Sequence, residues 1–225
     1  MKNSKGFTLV ELLVVIAVSS VLLLLLTQIF FSSLKGNNKA QALAIIKQNG
    51  ASVLDEIDLS VRNADNVVCP FIAPGSVLPV SSNNLVVIKN GVFTRYRFRF
   101  KDTTACEARD QDPKDQNLAN GQVDKDIIDL SNPSTTLRDL TQQGINNYIT
   151  NNLCNEQDAL LNPIPLTDNT PQGVTVVCGA FTRSRLNGFK DIVTINFQLS
   201  PAPEIDKKTF SQLSPVSFKT SVELR

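Results

Sequence analysis

The sequence contains no histidine and no tryptophan. Histidine is the most frequent general base and a common metal ligand, so its absence excludes the Ser-His and Cys-His arrangements of nucleophilic catalysis. No glycine-rich phosphate-binding loop is present in the sequence either. We therefore predict a protein that is not an enzyme, with no catalytic residues, no cofactor and no metal site.

The sequence also lacks an excess of charge of either sign. It has 22 basic and 21 acidic residues and a formal net charge of +1. A balanced chain has no general attraction to nucleic acid or to an anionic membrane surface, so partners have to be inferred from local features. The 225 residues suffice for one long membrane segment and one globular domain.

The 20 residues from Leu12 to Phe31 carry no charge. At about 1.5 Å per residue they can cross the roughly 30 Å hydrocarbon core of a bilayer. A secretory signal peptide has a shorter apolar region, followed by a small-residue cleavage site that is missing here. We therefore predict a retained membrane helix with the first six residues in the cytoplasm and the rest of the chain outside.

A single carboxylate, Glu11, interrupts the apolar N-terminal part of the chain. Placing a carboxylate in a membrane costs about 2.5 to 3.5 kcal/mol, so it requires a partner. The segment from Lys5 to Leu12 resembles the processing motif of type IV prepilins and type II secretion pseudopilins. The chain is thus expected to be a structural subunit of a pilus or pseudopilus.

The resemblance assigns a role to each residue of the motif. Residues 1–6 form a leader, prepilin peptidase cuts between Gly6 and Phe7, Phe7 becomes N-methylated, and Glu11 guides assembly. The other expected partners are further pilins or pseudopilins, an inner-membrane assembly platform, and membrane lipid before assembly. The expected location is the cytoplasmic membrane, followed by a filament outside the cytoplasm.

Two observations favour a minor or priming subunit. The apolar run lacks the helix-kinking proline that many major pilins carry. The segment from Gln48 to Val67 resembles the helix of J-type pseudopilins and W-type minor pilins.

Residues 35–66 are predicted to form an amphipathic helix, because apolar residues recur every three or four positions. The positions are Ala42, Ile45, Ile46, Val53, Ile57, Val61 and Ala64. With the membrane segment at 7–34, this predicts a nearly continuous helix from Phe7 to about Arg62.

Residues 67–225 are predicted to form a β-rich head. Leu85 to Lys89, an Asn90-Gly91 turn and Val92 to Phe100 form a strong hairpin pattern. Further strands are expected at 173–181, 191–199 and 216–224. Residues of about 102–170 are polar and are interpreted as a surface insertion with a short helix at 135–150. The predicted fold class is α+β: a pilin-like long N-terminal helix packed on an antiparallel sheet of about five strands.

In the second strand of this hairpin, arginines alternate with aromatic residues. Alternation places Tyr96, Phe98 and Phe100 on one face of the strand. It places Arg95, Arg97 and Arg99 on the other face, where solvent or another subunit is expected. The alternative function is a filament-displayed adhesin or a DNA- or substrate-binding module that uses these arginines and the polar insertion. No nucleic-acid partner is expected, because a stacking platform needs both residue types on one face.

Two acidic clusters are similar to calcium-binding loops. They are Asp110, Asp112 and Asp115, and Asp124, Asp126 and Asp129. Neither has the spacing of the EF-hand pattern, so we interpret both as solvated charge.

Four cysteines, Cys69, Cys106, Cys154 and Cys178, all lie on the predicted extracytoplasmic side, where disulfides persist. Three pairings are possible. We favour Cys69 with Cys106 and Cys154 with Cys178, because each pair brackets a local unit. A zinc site is not expected, because the sequence has no C-x-x-C spacing.

Overall fold

The computed structural model describes residues 8–72, 78–100, 120–129, 153–154, 163–170, 173–185, 190–202 and 213–224. One long N-terminal helix is followed by antiparallel β-sheets. This is the predicted α+β, pilin-like architecture. The chain divides into two compact units, Met1–Ala42 and Leu43–Arg225.

Helix α1 (Leu9–Arg62) has 54 residues. It continues without a break through Gly36 and through Asn49 and Gly50, where intrinsic helix propensity is low. The prediction of a nearly continuous helix is therefore confirmed from Leu9 onward. The apolar side chains of α1 in the first unit are exposed; Leu24, for example, is 66% exposed. This part of α1 is long and apolar enough to cross a membrane.

In the second unit α1 buries one narrow stripe of its surface. The buried residues recur every three or four positions; they are Ile46, Gly50, Val53, Ile57 and Val61. Its apolar members pack into the same core as the buried residues of the strands. The predicted amphipathic helix thus packs on β-structure, as expected.

The strands form two antiparallel sheets. Their bounds are β1 (Asn66–Cys69), β2 (Val80–Ser82), β3 (Asn84–Lys89), β4 (Val92–Arg99), β5 (Gln122–Asp129), β6 (Ile164–Pro165), β7 (Val174–Ser184), β8 (Ile192–Pro201) and β9 (Val216–Glu223). Sheet one has the order β1-β3-β4-β5-β6, and sheet two has the order β2-β7-β8-β9. The prediction of one sheet with about five strands was wrong: the described residues alone form nine strands in two sheets.

The predicted hairpin is confirmed as β3 and β4. Asn84 pairs with Arg97 at one end and Lys89 with Val92 at the other. Asn90 and Gly91 both have positive φ, 50° and 80°, as expected for the two central residues of a tight hairpin turn.

Strand β5 lies inside the predicted polar insertion, so that insertion is not loop throughout. It pairs with β4 along its full length, from Val92 opposite Asp129 to Arg99 opposite Gln122. The short helix predicted at 135–150 lies outside the described residues.

Aromatic rings connect the two sheets in the core. Phe98 of β4 stacks on Phe181 of β7 with ring centroids 4.4 Å apart, and it lies 5.6 Å from Phe197 of β8. Phe197 in turn stacks on Phe218 of β9 at 5.2 Å. Phe98 thus packs into the core, and Tyr96 and Phe100, which were predicted to share its face of β4, belong to the same core cluster.

Helix α1 lies close to this aromatic cluster at Gly50. A Cβ atom at this position would overlap the ring of Phe218. We expect Gly50→Ala to lower the free energy of unfolding by about 1 to 2 kcal/mol, because overpacking outweighs the gain in helix propensity. The measurement is urea unfolding of the full-length chain followed by near-ultraviolet circular dichroism.

The matched control is Gly36→Ala, because Gly36 lies in the same helix and an added Cβ there would meet nothing within 4 Å. This variant should be as stable as the wild type or slightly more stable. Adding Phe218→Leu to Gly50→Ala should restore part of the loss. Equal stability of Gly50→Ala and the wild type would show that the Phe218 ring moves aside without cost.

Candidate functional site

Thr8 and Glu11 cap the N-terminal end of α1. The backbone N–H and the hydroxyl of Thr8 both donate to Oε2 of Glu11, each at 3.0 Å. The backbone N–H of Glu11 donates to Oγ1 of Thr8 at 3.3 Å. These reciprocal bonds form a capping box, in which two side chains satisfy backbone N–H groups that the first helical turn leaves without partners.

The capping box holds the Glu11 carboxylate at the positive end of the helix dipole. Gly6 and Phe7 lie outside the described residues, so cleavage and methylation at these residues stay predictions. Phe7 is bonded directly to Thr8, so an α-amino group created by cleavage would be one residue away from the N–H that binds Glu11. Thr8 was not among the predicted site residues, although the T-x-x-E pattern is a capping-box signature.

The first half of α1 presents an apolar surface, and two of its hydroxyl groups donate to backbone carbonyls of the same helix. The hydroxyl of Ser20 donates to the carbonyl of Ile16, and that of Thr27 donates to the carbonyl of Leu23, both at 2.7 Å. Neither hydroxyl needs water or another helix as a partner. The segment is therefore chemically suited to lipid and to other apolar helices.

The arginines of β4 do not form a solvated strip. Arg95 is 1% exposed and Arg97 is 5% exposed. Arg95 donates to Asp126 at 3.1 Å, and Arg99 forms an ion pair with Asp124. The prediction of solvent-facing or subunit-facing arginines was therefore wrong for Arg95 and Arg97.

The interpretation of the second acidic cluster as solvated charge was also wrong, because Asp124 and Asp126 are fully buried. Arg97 lies opposite Asp124 and Arg95 lies opposite Asp126 in the register of β4 and β5. Like spacing on two adjacent strands brings opposite charges together, and each charge offsets part of the cost of burying the other. Asp110, Asp112, Asp115 and the side chain of Asp129 lie outside the described residues.

On the helix-facing side of the same strand, Tyr96 contacts α1. Its hydroxyl lies 2.5 Å from Oγ of Ser60. Burial raises the pKa of Tyr96 well above its ordinary value, so this group stays neutral at physiological pH. The hydrogen bond between Tyr96 and Ser60 joins α1 to sheet one.

A disulfide joins Cys69 to Cys154, with Cα atoms 5.5 Å apart. Our favoured pairing of Cys69 with Cys106 and Cys154 with Cys178 was therefore wrong. Leu153 packs with Cys69 and Val86 in a small apolar cluster, and this places Cys154 beside β1. Cys178 is also disulfide-bonded. Cys106 lies outside the described residues.

The described part of the chain contains no group of three or more side chains that could hold a metal ion. A further polar site among the described residues is a cleft beside Arg183 and Arg185.

Residues 1–27 match a family model described as the prokaryotic N-terminal methylation motif. No curated protein and no solved structure matches the chain. The match supports a type IV pilin-like protein that prepilin peptidase processes and that assembles with other pilins. Together with the apolar half of α1, the motif indicates a single-pass, membrane-anchored protein.

Proposed function

We propose that the chain is a minor or priming subunit of a type IV pilus or a type II secretion pseudopilus. In this proposal residues 1–6 are the leader, 7–34 the membrane and filament-core helix, 35–66 the amphipathic helix and 67–225 the head. The observation that carries the proposal is the methylation motif at residues 1–27, continued by a helix whose apolar side chains are exposed.

Assembly would move the apolar half of α1 from lipid into a bundle of similar helices from other pilins. Lipid chains and apolar helices are similarly apolar, so this transfer gains little from the hydrophobic effect, and polar contacts decide how the helices align. After cleavage, Phe7 carries a positive α-amino group. An unpaired charge in such a bundle costs several kcal/mol, and Glu11 of a neighbouring subunit can remove that cost.

This pairing would fix the axial position of each subunit. The α-amino group and the carboxylate must meet at one height along the bundle. The capping box shows that the Glu11 carboxylate already accepts bonds from Thr8. A carboxylate has two oxygens with about four acceptor positions, so it can bind a neighbour while it keeps the cap.

The uninterrupted helix and the resemblance of 48–67 to W-type minor pilins and J-type pseudopilins support the minor or priming role. The disulfide between Cys69 and Cys154 supports a head outside the cytoplasm. The assembly platform of the inner membrane and the prepilin peptidase are the further proposed partners. The alternative function, a DNA- or substrate-binding module, has less support, because two of the arginines expected to bind the ligand, Arg95 and Arg97, are buried.

We expect the chain extracted from membranes of cells with an active prepilin peptidase to begin at N-methylated Phe7. Gly6 has no Cβ atom, which lets the peptidase approach the bond that follows it. Intact mass spectrometry should show the loss of residues 1–6 and the gain of one methyl group. A Gly6→Val variant should keep its leader and remain in the membrane. A wild-type chain that begins at Met1, or beyond Ser20, would contradict the proposed processing.

A further inference from the structure

A cleft lies between β1 of sheet one and the C-terminal end of β7 in sheet two, with a cavity volume of about 190 Å³. Its apolar walls are formed by Val67, Phe71 and Ile72, and its charged side by Arg183 and Arg185. No feature of the proposed filament function uses this cleft.

Among the described residues, the charged side of the cleft has two guanidinium groups and one carboxylate that contacts them. Arg183 donates through Nε and Nη2 to Asp191, and through Nη1 to the carbonyl of Pro70 at 3.1 Å. Arg185 donates to the same carboxylate through Nε at 2.6 Å and Nη2 at 2.9 Å. Hydrogen bonds from Arg185 and Arg183 hold the pKa of Asp191 below its ordinary value, so it stays ionised. Two guanidinium groups therefore share a single carboxylate.

The two arginines differ in what they can still bind. Arg183 is almost fully buried and all three of its nitrogens have partners. The side chain of Arg185 is 42% exposed. Within the described residues, Nη1 of Arg185 has no hydrogen-bond partner. Arg185 can thus offer charged N–H donors to an anion beside the apolar walls.

We propose that this cleft binds a carboxylate that carries one aromatic or branched aliphatic group. The apolar group would lie against Val67, Phe71 and Ile72, and the carboxylate would accept hydrogen bonds from Arg185. A cavity of about 150 Å³ in an apolar core holds benzene, so this cleft has room for a ring of that size. Arginine is the side chain best suited to a carboxylate, because its planar donors match the two oxygens.

Such a ligand could be a free organic acid or the C-terminal residue of a peptide. Three probes separate the possibilities: phenylacetate, N-acetylphenylalanine and the uncharged N-acetylphenylalaninamide. Binding is measured by isothermal titration calorimetry on the full-length chain in lipid nanodiscs, with empty nanodiscs subtracted. We expect at least one carboxylate to bind in the millimolar range or more tightly, and the amide to bind about tenfold more weakly or not at all. Tighter binding of phenylacetate indicates a free acid, and tighter binding of N-acetylphenylalanine indicates a peptide terminus.

Two variants test the assigned residues. Arg185→Gln should weaken binding of the carboxylate about tenfold, because it removes a charged donor and keeps a side chain of similar reach. Lys190→Gln is the matched control: it removes an exposed positive charge next to Asp191 that does not line the cleft, and it should bind as the wild type does.

Phe71→Ala removes an apolar wall without changing charge, and it should also weaken binding, so the test does not depend on one variant. Any of three results would overturn the proposal. These are no binding of either carboxylate to the wild type, equal binding of the amide, or an unchanged affinity in correctly folded Arg185→Gln.

Discussion

Replacing Glu11 with alanine should leave the chain inserted and processed but exclude it from filaments. A carboxylate in the membrane costs about 2.5 to 3.5 kcal/mol, so its removal makes insertion easier. In the proposed processing, cleavage depends chiefly on Gly6 and the residues beside it, so it should continue in this variant. Assembly differs, because the α-amino group of an incoming Phe7 would stay unpaired among apolar helices, at a cost of several kcal/mol. Fractionation should find processed protein in the membrane and little in sheared filaments.

A second variant, Glu11→Gln, separates the effect of the charge at position 11 from the effect of helix capping. Glutamine at position 11 can still accept the hydrogen bond from the backbone of Thr8, because glutamine is also a capping-box residue. It cannot neutralise a positive charge. If charge pairing guides assembly, Glu11→Gln and Glu11→Ala should be depleted from filaments to the same extent.

Gln28→Ala is the control for a polar residue elsewhere in the apolar half of α1, and it should assemble normally. Two outcomes would contradict the role of charge pairing in assembly. Normal assembly of Glu11→Gln alone would mean that Glu11 acts through the cap, and normal assembly of both variants would favour a plain membrane anchor.

The second large effect is expected at Asp126. We expect Asp126→Ala to lower the free energy of unfolding by about 3 to 5 kcal/mol, because it leaves the charge of Arg95 buried without this partner. Both side chains are almost fully buried, and the ion pair measures 3.1 Å. Urea unfolding of the full-length chain, followed by near-ultraviolet circular dichroism of tyrosine, measures the change.

The matched control is the exposed ion pair of Asp58 and Arg62 on α1. Asp58→Ala should change the free energy of unfolding by about 1 kcal/mol or less, because water and salt screen exposed pairs. The double variant Arg95→Met with Asp126→Leu should be more stable than Asp126→Ala, since neither charge is then buried alone. Similar losses for Asp126→Ala and Asp58→Ala would show that burial of the pair does not determine its strength.

The helix, the hairpin turn and the alternation of β4 could be predicted, because each depends on residues that are close together in the sequence. An uncharged run followed by apolar residues at helical spacing predicted α1 to within two residues of its observed start. Asn90 and Gly91 predicted the hairpin turn, because few other pairs tolerate two positive φ angles. Alternation along β4 predicted that Tyr96 and Phe98 share one face, and both belong to the same core cluster.

Which charged side chains are buried could not be predicted from local sequence in the same way. Strand β5 contains Asp124, Lys125 and Asp126 in a row, which is typical of a surface loop when one strand is considered alone. Its burial depends on the adjacent strand, where Arg95 and Arg97 have the same spacing as the two aspartates. Comparing the alternation of the two segments would have indicated the pairing.

The disulfide pairing failed for a related reason. We assumed that cysteines close in sequence close a local loop, but Cys69 and Cys154 are 85 residues apart. Their approach depends on Leu153, which packs against Val86 of β3. Neither residue has a sequence signal that identifies its partner. The capping box, in contrast, was visible in the sequence as T-x-x-E and could have added Thr8 to the candidate site.

The most direct test of the proposed function is mass spectrometry of filaments sheared from cells that express the chain together with its assembly system. We expect a peptide that begins at N-methylated Phe7 in the filament fraction, and its loss when prepilin peptidase is inactivated. Filaments that contain no peptide of this chain, or only peptides that still carry the segment ending at Gly6, would contradict its assignment as a processed filament subunit.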